Sequence, residues 1–116
     1  MRRGSLYLAE RRPRSGTELH GPLPVTVVSR DSFSRVDAWG SVTVVPLPTS
    51  ELQARRGPSA VPIPDGAGGL RGDGVAVCHK VTTLDRAKLT RSKLGTLPPE
   101  VVAAVEGGIK AAMDLS

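Results

Sequence analysis

The chain predicts a mainly β fold, a small barrel closed by one C-terminal helix, and three observations carry that reading. Residues 24–29 and 42–47 are β-branched runs, nearly continuous in apolar character. Shorter strand-like pieces surround them, separated by loops rich in Gly and Pro. At the end, Pro98-Pro99-Glu100 opens a stretch with apolar residues at helical spacing. At 116 residues a single domain, 1–116, is expected, with enough chain to bury an aliphatic core.

Taken in order, residues 5–9 alternate polar and apolar side chains and predict the first strand. The segment 10–23, built from charge, Gly and Pro, is long for a hairpin connection. Loops of that length are commonly binding loops or disordered segments, so it is a site candidate, and Arg11, Arg12, Arg14, Thr17 and His20 are its candidate anion-binding side chains. Residues 25–29 and 41–47 predict central strands buried on both faces. Between them, Asp31-Ser32 starts a turn, and Trp39-Gly40 leads into the next strand.

Residues 60–63 predict an edge strand, because Pro62 has no amide to donate to a ladder. Five glycines in residues 64–74 predict a surface loop. Residues 75–83 read as one further strand, 84–89 as a helical turn and 92–96 as a last short strand. In the terminal helix, Pro fits the first turn and Glu100 complements the helix dipole. Val101, Val102, Val105, Ile109, Ala112 and Met113 form one apolar stripe that should cap the barrel. Gly107 and Gly108 each cost a helix about 1 kcal/mol relative to alanine, which predicts close packing there.

Composition narrows the function. Sixteen Lys plus Arg against eleven Asp plus Glu give a net charge of +5, favouring a polyanion or an acidic protein as partner. Tyr7, Phe33 and Trp39 are the only aromatic residues. That argues against base-stacking platforms and against the aromatic-walled grooves of adaptors for proline-rich peptides. Cys78 is the only cysteine, so an intrachain disulfide and a cysteine-based zinc cage are excluded. Its apolar neighbours predict a buried, reduced thiol. No apolar run is long enough for a membrane span, and residues 1–14 lack the apolar centre of a signal peptide, so a cytoplasmic location is expected.

These motifs, in this order and spacing, resemble the MazF/PemK family of toxin endoribonucleases. The resemblance rests on Arg2-Arg3-Gly4-Ser5-Leu6-Tyr7, on Gly16-Thr17-Glu18 ahead of Pro24-Val25-Thr26-Val27-Val28-Ser29, and on Val44-Val45-Pro46-Leu47-Pro48-Thr49-Ser50. Val75-Ala76-Val77-Cys78, Leu84-Asp85-Arg86-Ala87-Lys88-Leu89 and Lys93-Leu94-Gly95 extend it nearly end to end. It implies an SH3-like barrel with a C-terminal helix, a homodimer, and cleavage of single-stranded RNA with no metal or other cofactor. The products implied carry a 2′,3′-cyclic phosphate and a 5′-hydroxyl. It also implies a MazE-like antitoxin whose acidic tail occupies the RNA groove.

The family's catalytic pair is an arginine just before the proline that begins the second strand and a threonine at the end of the third. Thr49 matches the threonine, with Pro48 inserted ahead of it and Ser50 as a fallback one residue on. Leu23 stands where the arginine is expected. After Cys78 the family continues with an acid, an amide and then a basic residue two positions later, whereas this chain reads His79-Lys80-Val81-Thr82.

Cleavage by a 2′-hydroxyl needs a proton acceptor, a proton donor for the departing 5′-oxygen, and a cation beside the pentavalent phosphate. Leucine supplies none of these. Loss of one preorganised donor is worth about 3 kcal/mol, about a hundredfold in rate. His20, Arg14, Lys80 and Arg30 are the candidate replacements, and His20 alone among them titrates near neutrality. Each has a bland alternative: a solvated loop histidine, a solvated charge cluster or, for Thr49, a hydroxyl that closes a turn. Two functions therefore stand side by side: an RNA-cleaving toxin with a borrowed cation, and a catalytically impaired relative that keeps only its binding surfaces.

Overall fold

In the computed structural model, the structure describes residues 3–9, 23–29, 40–48, 57, 59–70, 74–85, 87, 89 and 93–114. Seven strands and one α-helix are described: β1 (Ser5–Ala9), β2 (Leu23–Val27), β3 (Ser41–Pro46), β4 (Ala60–Ile63), β5 (Gly74–Val77), β6 (Thr82–Asp85), β7 (Gly95–Thr96) and α1 (Pro99–Ala112). Five of the strands form an antiparallel sheet in the order β6-β3-β2-β1-β7, and β4 pairs with β5 in a second sheet.

The β-branched runs at β2 and β3 are central strands, as their composition predicts. Adjacent residues of β3 face opposite ways, so Val42 and Val44 join Ala9, Val25, Val27 and Leu89 on one face of the sheet. Val45 and Leu47 turn to the other face, where Leu6, Val61, Ile63, Ala76, Cys78, Leu97 and Val105 complete the main core. That core draws on both sheets and on α1, which closes the barrel. Pro62 sits on β4 opposite Val75 and points to solvent. β4 has no second strand partner among the described residues, so the missing amide costs no ladder bond there.

Two expectations need correction. Residues 75–83 are not one strand: β5 ends at Val77, a 3-10 turn spans Cys78–Lys80, and the chain re-enters the other sheet as β6. Cys78 is fully buried while His79 and Lys80 are both exposed, a pattern a continuous strand with its period of two cannot satisfy. The amide of Cys78 still reaches the carbonyl of Ser59 at 2.9 Å, and that of Val81 closes the turn on Cys78 at 3.3 Å. Consequently Leu84, expected in a helical turn, lies in β6 opposite Val42.

The glycine-rich segment is likewise more than a surface loop. Ala67–Gly69 form a 3-10 turn, and Leu70 just after it is only 4% exposed. Gly68, at φ 61°, lies so close to Leu6 that a Cβ would collide with its Cδ1 and crowd Leu97, and Gly95 on β7 is pressed against the Gly68 backbone. Glycine is required because the turn is wedged against the end of the barrel, in the left-handed region that other residues rarely adopt.

α1 starts with Pro99 at its first position and Glu100 in its first turn. Its stripe is only partly used: Val105 is buried and Val101, Val102 and Ile109 pack against the core, while Ala112 and Met113 remain exposed. Gly108 is buried against Val61 and Cys78, which explains one glycine of the pair; Gly107 faces open space.

Candidate functional site

The mouth where β2 begins and β3 ends is held by backbone bonds. Pairing of β2 with β3 places Val25 opposite Pro46, and the Leu47 amide donates to the Pro24 carbonyl at 2.9 Å. One residue further, the Pro48 carbonyl accepts from the Val75 amide at 3.0 Å. The chain is thus fixed to both sheets immediately before Thr49. Leu23, half-buried, pairs with Ala9 at the start of β2 and opens onto a pocket of about 220 Å³.

The floor of that pocket is hydrocarbon, from Ala9, Leu23, Val25, Val44, Pro46 and Leu84. Lys80 and Thr82 give it its polar lining, brought there because the 3-10 turn after β5 redirects the chain toward β6 and its pairing with β3. Of the residues proposed from the sequence, Lys80 therefore lines the same pocket as Leu23. Arg11, Arg12, Arg14, Thr17, His20, Arg30, Thr49 and Ser50 lie outside the described residues.

A second and larger groove, about 690 Å³, runs between the C-terminal half of α1 and the ends of β3 and β6. Val28, Val81, Ile109 and Met113 give it an apolar lining, and Arg3, Glu106 and Lys110 edge it. Arg3 is anchored by its Nε donating to the Val28 carbonyl at 3.1 Å and by an ion pair with Glu106 at 3.4 Å. A row of hydroxyls crosses the groove: Ser29 Oγ accepts from the Thr43 amide, and Thr43 Oγ1 lies 3.4 Å from Thr83 Oγ1. Sequence reasoning missed this row and Thr82. The signal was the alternation Ser41-Val42-Thr43-Val44, which sends hydroxyls to the side opposite the buried valines.

Cys78 takes no part in either cavity. Burial pushes its thiol up from 9.0 to about 11, keeping it protonated, and it lies 3.6 Å from the Val105 carbonyl and 3.7 Å from that of Ala76. Among the described residues no group of three or more His, Cys, Asp or Glu side chains is arranged to hold a metal ion.

The chain is thus a small β barrel closed by a C-terminal helix, with a lysine in the lining of an apolar pocket at the strand ends. The family described as PemK-like, MazF-like toxin of type II toxin-antitoxin system matches residues 2–113, and the chain belongs to it. Among relatives, it is 27% identical over 115 residues to Endoribonuclease EndoA of Bacillus subtilis (strain 168), covering 99% of this chain and 96% of that one. Among solved structures, the Mycobacterium tuberculosis toxin MazF-mt6 superimposes with a TM-score of 0.76 at 25% identity, over 97% of this chain and 98% of that one. MazE-MazF (Form-II) from Deinococcus radiodurans gives a TM-score of 0.75 at 24% identity, covering 100% and 97%. The fold is the SH3-like barrel of MazF toxins.

Proposed function

We propose that the chain is a toxin endoribonuclease of a type II toxin–antitoxin pair that cuts single-stranded RNA. The observation that carries this reading is membership of the toxin family over residues 2–113. In the reaction a base takes the proton of a ribose 2′-hydroxyl, and its oxygen bonds to the adjacent phosphorus. The bond from phosphorus to the 5′-oxygen then breaks, and that oxygen takes up a proton. Products are a 2′,3′-cyclic phosphate and a 5′-hydroxyl. The substrate supplies its own nucleophile, so the reading calls for no metal. Thr49 aligns the phosphate, with Ser50 as the fallback, while His20, Arg14, Lys80 or Arg30 supplies the cation that Leu23 cannot. Arg11, Arg12 and Thr17 contact the RNA backbone.

The reading includes a homodimer, a MazE-like antitoxin and action in the cytoplasm, where messenger RNA is found. The Deinococcus radiodurans neighbour is a MazE-MazF assembly, which supports the antitoxin. Among the described residues no helix is long and apolar enough to cross a membrane. One observation favours a second reading: Leu23 presents hydrocarbon at the mouth, as a relative that binds without cutting would.

Incubating the purified protein with a long RNA in EDTA separates the two. Discrete fragments with 5′-hydroxyl ends support the nuclease, and intact RNA over a wide protein range leaves only the binder. Thr49→Ala and His20→Ala, made singly, then test the two roles; unchanged cleavage removes that residue from the mechanism.

A further inference from the structure

We infer that a single ordered water molecule is bound between the end of β2 and α1, anchored on the Thr26 hydroxyl. Thr26 is 1% exposed, and its Oγ1 has no hydrogen-bond partner among the described residues. It pairs in register with Leu6 and Val45, which puts its side chain on the face of the main core. Valine has the same shape and would fill that place without a polar atom. A hydroxyl buried without a partner is costly, so this oxygen points to a group that bonds it.

The second observation is a cavity that Thr26 lines. α1 makes its close contacts with β4 and the 3-10 turn after β5 rather than with β2. A space of about 10 Å³ is left between Thr26 and Val28 on one side and Val102 and Val105 on the other. That is room for one water molecule and nothing larger. Gly4, at φ 94°, borders the cavity where a Cβ would sit 2.7 Å from Val102 Cγ2, so the backbone closes in tightly there. Arg3 and Glu106, paired at 3.4 Å and partly exposed, line the outer side.

Most of the wall is hydrocarbon, and a wholly apolar cavity of this size stays dry. Here the polar groups decide. The Val27 side chain belongs to the opposite face of the sheet with Val25, so Val27 borders the cavity with its backbone. Its carbonyl accepts the Gly4 amide at 2.8 Å and keeps a second lone pair. Water bonded to Thr26 Oγ1 and to that carbonyl finds a further partner in Glu106 or Arg3 at the outer side, which meets the usual number of about three bonds. With Glu106 as that partner, the water links β2 to α1. A divalent metal ion would find too few oxygens here.

The test counts long-lived internal waters in the full chain by magnetic relaxation dispersion of the water oxygen. Thr26→Val keeps the shape and removes the anchor, so the amplitude is expected to fall by the share of one water. Thr26→Ser keeps the hydroxyl and is expected to retain the full amplitude. In urea, Thr26→Val is expected to unfold at the same midpoint or a lower one, because a bonded hydroxyl is lost.

An unchanged amplitude in Thr26→Val overturns the proposal, and so does an equal loss in Thr26→Ser. A higher midpoint in Thr26→Val overturns it too, since an apolar isostere stabilises where the hydroxyl had no partner. If Thr26→Val does not fold, the unsubstituted chain decides. Nuclear Overhauser transfer from water to the Thr26 methyl protons, with the sign of a water that stays longer than the protein takes to tumble, is expected, and its absence overturns the proposal.

Discussion

Gly108 lies directly on Cys78: a Cβ built on the glycine would sit 2.7 Å from the Cys78 sulfur and 2.6 Å from Val61 Cγ2. The helix therefore seats on the second sheet through a contact that only a bare backbone permits. Neither neighbour moves easily, since valine is stiff at χ1 and Cys78 is fully buried. Gly108→Ala should destabilise the protein by about 1–3 kcal/mol through overpacking, against a gain of about 1 kcal/mol in helix propensity. Gly107→Ala, one residue away and facing open space, receives the propensity gain alone and should stabilise by up to about 1 kcal/mol. Urea unfolding of the two variants checks the pair, and equal midpoints would refute the account.

The same contact makes the fold sensitive to alkali. The Cys78 thiol has its pKa raised to about 11 by burial, against 9.0 when unfolded. A raised value means that the folded state holds the proton more tightly. Stability from this group is therefore complete below pH 9 and declines as pH rises toward about 11. Cys78→Ser should remove that part of the alkaline loss, visible as a shallower fall in thermal midpoint between pH 9 and 11. At pH 8 the native protein should react with a thiol reagent only as fast as it opens, and stoichiometric labelling within seconds would contradict a buried thiol.

Much of the fold was legible because its strands carry strong patterns. The valines at 25, 27, 42 and 44 announced two central strands, and Pro98-Pro99-Glu100 announced the helix, within a residue of its start. The break at Cys78 was not legible from the apolar run before it. It follows from a tertiary demand: Cys78 must point inward beneath α1 while the next two residues carry the chain across to the other sheet. The glycine turn at Ala67–Gly69 was misread for a related reason, since its packing partners, Leu6, Leu97 and Gly95, are remote in sequence. At the site, Lys80 was legible as a candidate replacement cation at a strand end facing the long loop. Its place in the pocket that Leu23 lines depends on that unread turn.

Leu23 gives the sharpest catalytic prediction. It and Lys80 border the same pocket, so a guanidinium introduced at residue 23 enters the space that the leucine now fills with hydrocarbon. Under the nuclease reading, Leu23→Arg should raise kcat by about a hundredfold, the value of one preorganised donor at a developing charge, with a smaller change in KM. Under the impaired-relative reading it should create cleavage where none was measurable. A variant that folds, binds RNA and cuts no faster than the parent would place the missing function elsewhere than at this cation.

The homodimer in the proposed function calls for a surface, and the groove of about 690 Å³ between α1 and the ends of β3 and β6 has the right character. Met113 is 57% exposed at its edge, and β6 is the outermost strand of its sheet, with no partner beyond it among the described residues. Arg3, Glu106 and Lys110 put both signs of charge along the rim, as a patch that packs on its own copy about a two-fold axis requires. Met113→Asp and Thr83→Arg alter exposed side chains, so each should fold like the parent. Each should also weaken self-association by at least about tenfold, because a charge enters an apolar contact without a partner. Sedimentation velocity over a range of concentrations checks this. A parent that runs as a monomer throughout, or variants that stay dimeric at the lowest concentrations, would rule this face out as the dimer contact.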